Sequence, residues 1–336
     1  KEVIEAAPLV PAWEARFRQE ALARMVHYGT KIEGNALTFS EAEKVIAGQQ
    51  QEVVGRDRDV QEVINYRNAI EYLDKAIEKR TEGKLEYSLE MILDMHKLTT
   101  QRVISDEEAG QMRKVQVVLR NAATGEIGYR PPPAIEVKFL LDDFLFWQNS
   151  DQGREVHPVI RAAIAHYLLT AIHPFVEGNG RTARAFATLI LFAEGYDTRK
   201  FFSLEEHFDL DAQGYFGKLM EVSNQADEIA ERDLTAWIEY FTEALAVELT
   251  KIKEKVRQLS MDVKIRDRVG EQVYLSERQM KLMEYLQAQK VMNMHEAASI
   301  LPLVSEDTIL RDLKLLMEKG IVRKEGVTKA AKYVLA

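Results

Sequence analysis

Apolar residues recur at spacings of three and four through most of the first 250 residues, as in Val63, Tyr66, Ile70, Leu73 and Ile77. That is the period of a helix buried along one face, so the body of the chain is predicted to be mainly α. The exception lies between Gly110 and Val137. There RKVQVVLR alternates, NAATGEIG offers a turn around Gly125, and PPP ends further pairing because proline has no N–H to give a ladder. A β-hairpin is predicted.

The helical pattern returns from Phe139 to Trp147 and from Pro158 to Ile172, the latter apolar on nearly all sides, as a central buried helix should be. A further helix runs from about Arg181 to Glu194 and stops at Gly195, and more follow to about Arg257. Val247 to Arg268 is rich in Lys, Arg, Glu and Asp and reads as a solvated helical connector. Beyond it come a helix from Ser276, a short helix near His295, a turn with Pro302, a helix capped by Ser305 and two short strands around Gly326. That order resembles a winged helix.

Composition narrows the chemistry. Hydrophobic residues make up 46% and charged residues 29% of 336, ordinary for a chain able to bury a sizeable core. A formal net charge of -9 supplies no global attraction to nucleic acid or an anionic membrane, so any nucleic-acid role must be local. There is no cysteine, which removes disulfides and thiolate metal sites and suits a reducing, cytoplasmic setting. No apolar run approaches the roughly 20 residues of a membrane span.

The informative string is HPFVEGNGRTAR, from His173 to Arg184. Pro174 disfavours helical geometry at His173, so the core helix must end there and leave the imidazole facing a loop. Gly178 and Gly180 let the backbone turn tightly and approach an anion, and the loop leads into a helix whose first N–H groups lack partners. Arg181 and Arg184 share a face at the positive end of that helix, an unfavourable place for cations unless an anionic ligand arrives. Glu177 is suited to a Mg²⁺ that bridges phosphates. His173 can accept the proton of an attacking hydroxyl. By contrast, His96 and mid-helix His166 read as packed core residues. The spacings of His157, His166 and His173 do not suit a zinc pair.

HPFVEGNGRTAR resembles the signature of the Fic family, and the resemblance covers roughly residues 25 to 245. It implies a protein adenylyltransferase that moves AMP from ATP onto a Ser, Thr or Tyr hydroxyl. His173 would be the general base, Glu177 the Mg²⁺ ligand, Asn179 a ligand of the α-phosphate, and Arg181 and Arg184 partners of the β and γ phosphates, cradled with Gly178 and Gly180. Arg113 to Pro131 would be a flap that pairs with the target backbone by strand addition. The implied fold is a helical core with a small hairpin flap and an added winged-helix domain. The expected divisions are residues 1–100 (N-terminal helical region), 101–246 (catalytic core), 247–275 (connector) and 276–336 (winged-helix-like domain).

The string from Thr30 to Asn35 can be a plain helix end with Gly34 or Asn35 as its stop. It also resembles the inhibitory motif of family members that carry an inhibitory helix before the core. Glu33 would then pair with Arg184 and keep ATP from seating. The family's Ser or Thr four residues earlier is here Gly29. Other readings stay open: removal of AMP with Glu33 positioning water, a different phosphoryl-type transfer, or an ATP-sensing DNA-binding regulator. Self-modification and a homodimer are further expectations. In the C-terminal module Glu306 and Asp307 would repel DNA from the third helix, although Arg311, Lys314, Arg323, Lys324, Lys329 and Lys332 could contact phosphates. A protein-interaction or dimerising role is favoured there.

Overall fold

A computed structural model describes residues 4, 11–78, 80, 84–120, 125–269, 275–302, 304–326 and 331–335. Residues 121–124, where a turn is predicted, residues 270–274 of the predicted connector, and 327–330 with Lys329 lie outside the described residues. The chain divides into two compact units, Ala15–Lys251 and one built mainly on Ile252–Ala336.

The first unit is helical. α1 (Pro11–Lys31) leads through the tight turn at Gly34 (φ 92°) to α2 (Phe39–Ile46). A capping box starts α2: Thr38 accepts from the Glu41 N–H while the Glu41 carboxylate accepts from that of Thr38. α3 (Asp57–Glu78) buries Val63, Tyr66, Ile70 and Leu73, four of the five positions its period marks, while Ile77 is half-buried, and α4 (Leu89–Thr100) is capped by Ser88.

The hairpin is shorter than its alternation suggests. β1 (Leu119–Arg120) and β2 (Ile127–Tyr129) pair antiparallel with a register shift beside Arg120, while Lys114 to Val118 pair with no strand. α5 (Val137–Asn149) and α6 (Asp151–Glu155) follow. At the centre lie α7 (Pro158–Ile172), two-thirds of whose residues are buried, and α8 (Asn179–Ala193), where all but Gly180 are. α3 and α4 both pack on α8. α8 begins two residues before the expected Arg181. Gly178 takes left-handed geometry (φ 81°) as its N-cap, so Asn179 already has helical neighbours. α9 (Leu204–Leu210), α10 (Ala212–Ser223) and the first half of α11 (Thr235–Val269), up to Lys251, complete the helices of this part.

The second unit holds α12 (Glu277–Gln289), β3 (Val291–Asn293), α13 (Met294–Ile300), α14 (Glu306–Glu318), β4 (Val322–Glu325) and β5 (Lys332–Leu335). The strands form one antiparallel sheet in the order β3, β5, β4. Leu282, Leu286, Ile309, Leu313, Leu316, Val322 and Tyr333 make its core. β3 adds a third strand to the expected two; three residues are too few to show a period of two. Among the described residues no helix is long and apolar enough to cross a membrane.

Candidate active site

The site is built on the break between α7 and α8. His173 sits at the end of α7 in left-handed geometry (φ 51°, ψ 61°), which a non-glycine residue adopts only where its surroundings hold it. Arg113 does the holding. Its Nε donates to the His173 carbonyl at 2.8 Å, its Nη groups to Pro132 (2.5 Å), Val115 (3.1 Å) and Ile172 (3.4 Å), and its own N–H to Pro174 at 2.8 Å. One buried guanidinium thus joins the base of the hairpin to the end of the core helix. In the sequence Arg113 marks only the start of the flap, since a lone arginine carries no periodic signal.

His173 Nδ1 lies 3.3 Å from the Thr170 carbonyl, which can only accept, so Nδ1 carries the proton and Nε2 keeps its lone pair. Burial pulls its pKa down to about 4, with Arg113 adding to the effect and the Thr170 contact and Glu33 opposing it. At neutral pH the imidazole is therefore an unprotonated acceptor.

The loop is shaped from α4. The His96 ring stacks on Phe175 with centroids 3.6 Å apart and planes at 1°. The Gly110 N–H donates to His96 Nδ1 at 2.9 Å, which leaves Nε2 to donate to the Glu177 carbonyl at 2.8 Å. Burial again lowers the pKa to about 4 and keeps this ring neutral. His96 is the core residue its setting predicted, and its two nitrogens also hold the loop. Asn179 spends its amide on the Phe175 backbone, accepting from the N–H and donating to the carbonyl, both at 2.9 Å. A side chain on Gly178 would collide with Thr100. Gly178 offers no side-chain cap to α8, so among the described residues the first N–H groups of that helix face the loop without one. Such a helix start binds anions.

Arg184 is buried, and three groups accept from it: Glu33 Oε1 at 2.9 Å, the Gly29 carbonyl at 2.8 Å and Tyr215 Oη at 3.4 Å. The Tyr215 hydroxyl is also hydrogen-bonded to His166 Nε2 at 3.0 Å, and His166 stacks on Trp237. Burial works against the charge of Arg184, but Glu33, Tyr215 and Tyr66 together outweigh it and hold the guanidinium above its ordinary pKa. Burial likewise opposes ionisation of Glu33, and Arg184 with Arg181 holds its carboxyl below the usual range. Gly29 has a physical reason for being glycine: a Cβ there would overlap the Tyr66 ring. Thr30 turns its hydroxyl back onto the Val26 and His27 carbonyls at 3.0 Å, and Asn35 ties the following turn to Asp59 and Glu62.

Arg181 is also buried, 3.4 Å from Glu177 Oε1 and 3.5 Å from Glu62 Oε1. Its Nε and Nη1 have no hydrogen-bond partner among the described residues, and the same holds for Arg184 Nε. Unsatisfied buried donors at a helix start are what an incoming phosphate would complete. Arg58 of α3 also pairs with Glu177 Oε1. Among the described residues no three His, Asp or Glu side chains converge as a metal cage. A hard cation here would therefore be held by Glu177 together with oxygens of a ligand, a donor set that suits Mg²⁺. The hairpin beside the loop is anchored by Tyr129, whose hydroxyl donates to the Ala171 carbonyl at 2.8 Å and accepts from Arg232 at 3.1 Å.

Residues 86–191 match the family model described as Fic/DOC family, and residues 278–328 match that of a DeoR-like helix-turn-helix domain. Over 182 residues the chain is 32% identical to the protein adenylyltransferase Fic of Drosophila grimshawi, covering 54% of this chain and 35% of that protein. The chain therefore spans about a third of the length of the curated relatives it matches. A Fic family protein from Desulfovibrio desulfuricans G20 shares the fold with TM-score 0.60 at 24% identity, over 96% of this chain and 88% of that one. Fic-1 (residues 134–508) from C. elegans aligns with TM-score 0.54 at 25% identity, over 73% and 71% of the two chains.

Proposed function

Since the chain carries a Fic domain followed by a helix-turn-helix domain, we propose that it is a protein adenylyltransferase, transferring AMP from ATP to a Ser, Thr or Tyr hydroxyl of a protein. The observation that carries this reading is the conjunction at one loop of an uncapped helix start, two buried arginines with unsatisfied donors and a neutral histidine whose Nε2 is free to accept. The α8 N–H groups and Arg181 bind the phosphates, and Arg184 takes the terminal one once Glu33 leaves. Asn179 acts on the α-phosphate by holding the loop, its side chain being engaged with Phe175. His173 Nε2 accepts the hydroxyl proton as the hydroxyl oxygen bonds to the α-phosphorus. The bond to the β-phosphate oxygen breaks and pyrophosphate departs. Mg²⁺, held by Glu177 and the phosphates, would offset charge on the transferring group.

The hairpin from Arg113 to Pro131 presents the target segment by strand addition, aligning a hydroxyl with little demand on target sequence. Glu33 makes the resting enzyme autoinhibited, because one guanidinium cannot grip both a carboxylate and a phosphate bidentately. Incubation with ATP labelled at either the α or the γ phosphate tests the reading. Protein label from the α position alone is the expected result, and label from the γ position would replace AMP transfer with phosphate transfer.

The DeoR-like domain favours a second reading, a DNA-binding regulator. Against it, Ser305 accepts from the Thr308 N–H to cap α14, and Glu306 and Asp307 occupy the positive end of that helix, where a groove-reading helix would meet bases. Retention on DNA that weakens steeply with salt, without label transfer, would favour the regulator.

A further inference from the structure

Glu177 belongs to a ring of four alternating charges. Arg58 pairs with Glu177 Oε1 and, through Nε, with Glu62 Oε1 at 3.1 Å; Arg181 closes the ring at 3.4 Å from Glu177 and 3.5 Å from Glu62. The two arginines are not equivalent. The Arg181 side chain is 2% exposed and fixed in α8, whereas that of Arg58 is 52% exposed at the start of α3. Arg58 also has no local need of Glu177. Cations are disfavoured at a helix start, but Glu62, four residues on, already partners Arg58, just as Asp59 accepts two hydrogen bonds from neighbouring Arg56.

Both arginines approach the same oxygen of Glu177. A cation that shares that carboxylate with nucleotide phosphates is repelled by both guanidiniums and competes with them for its negative charge, and of the two only Arg58 has solvent to move into. We propose that Arg58 is a positioning residue for Glu177 that competes with the divalent cation, setting the Mg²⁺ dependence of nucleotide binding separately from the contact between Glu33 and Arg184. This rests on the reading of Glu177 as the metal ligand.

The sign of the effect makes it testable. Removing a positive charge beside a polyanion should by itself weaken nucleotide binding. Removing a competitor for the metal ligand should strengthen it, and only when the metal is present. The measurement is the Kd of a non-hydrolysable ATP analogue by calorimetry, in Mg²⁺ and in EDTA, on the full chain carrying Glu33→Gly so that Arg184 is free. Arg58→Ala is expected to tighten binding roughly two- to five-fold in Mg²⁺, the scale of a half-exposed ion pair, and not in EDTA. Arg58→Gln, which keeps most of the side chain, should move the same way should the alanine variant melt early. Arg56→Ala removes a charge two residues away that does not touch Glu177 and should give no gain. Weaker binding of both Arg58 variants in both media would make Arg58 a phosphate ligand and overturn the proposal. An equal gain from Arg56→Ala would reduce it to general charge and overturn it too. If Mg²⁺ makes no difference even with Arg58 intact, the assignment of Glu177 fails and takes the proposal with it.

Discussion

The carboxylate of Glu33 lies directly over Gly180, where a Cβ added to the glycine would overlap Glu33 Oε1 and come within 3.0 Å of Arg184 Nη1. An acidic side chain thus occupies the space at the start of α8 that the helix offers to an anion, and the glycine is what leaves room for it.

Releasing that carboxylate should release the enzyme. Glu33→Gly is expected to raise AMP transfer roughly 5- to 150-fold, the range of ordinary coupling energies. Arg184→Ala in the same background should remove most of the gain. Initial rates at saturating ATP for wild type, both single variants and the double variant decide it, with folding checked by thermal melting. A well-folded Glu33→Gly protein with unchanged rate would reduce Glu33 to a helix end.

Gly180→Ala separates the two occupants of the space. The new methyl displaces Glu33, the flexible end of a side chain, but also fills the room a phosphate needs. Transfer should therefore stay low even in the Glu33→Gly background, with ATP affinity weakened at least tenfold, about 1.4 kcal/mol. Strong transfer by that double variant would show that phosphate does not approach Gly180.

His173→Ala should abolish transfer and leave ATP binding largely intact, because in the proposed mechanism the imidazole acts on the incoming hydroxyl. With its pKa pulled down to about 4 by burial, His173 is already unprotonated at pH 6. The transfer rate should not show the acid-side fall near 6.5 that an ordinary histidine would give; a fall centred there would place the base in a more solvated setting.

Stability carries the same titrations. His96 and His173 are lowered to about 4 by burial, while the unfolded chain binds those protons near 6.5. The unfolded state therefore binds more protons between these values, and stability should fall as pH drops from about 6.5 to 4. His96→Gln removes one such group, so the difference in melting temperature between pH 7 and pH 5 should shrink in that variant. An unchanged difference would mean that His96 already takes a proton in the folded protein.

Deleting residues 276–336 should leave ATP binding and self-labelling measurable, since the loop and hairpin lie in Ala15–Lys251. A truncated chain that folds but does not bind ATP would overturn that boundary.

The loop from His173 to Arg184 was legible because its chemistry is local. A proline that ends a helix, glycines that admit an anion and arginines at a helix start act on neighbours a few residues away, and spacing records them. Helical period likewise marked the buried face of α3, and the Glu33 string stood out by resemblance. What period and spacing do not record is the set of partners that chain folding brings from afar. Arg113 meets the His173 carbonyl from 60 residues away, His96 meets that of Glu177 from 81, Arg58 meets the Glu177 side chain from 119 and Glu33 meets Arg184 from 151. The same holds for Gly29, where the sequence shows only a missing hydroxyl and the packed chain shows the Tyr66 ring that excludes any side chain. Local conformation follows from residues near in the chain. These long-range pairings depend instead on how α1, α3 and α4 are packed around α8, because close packing decides which side chains share a space.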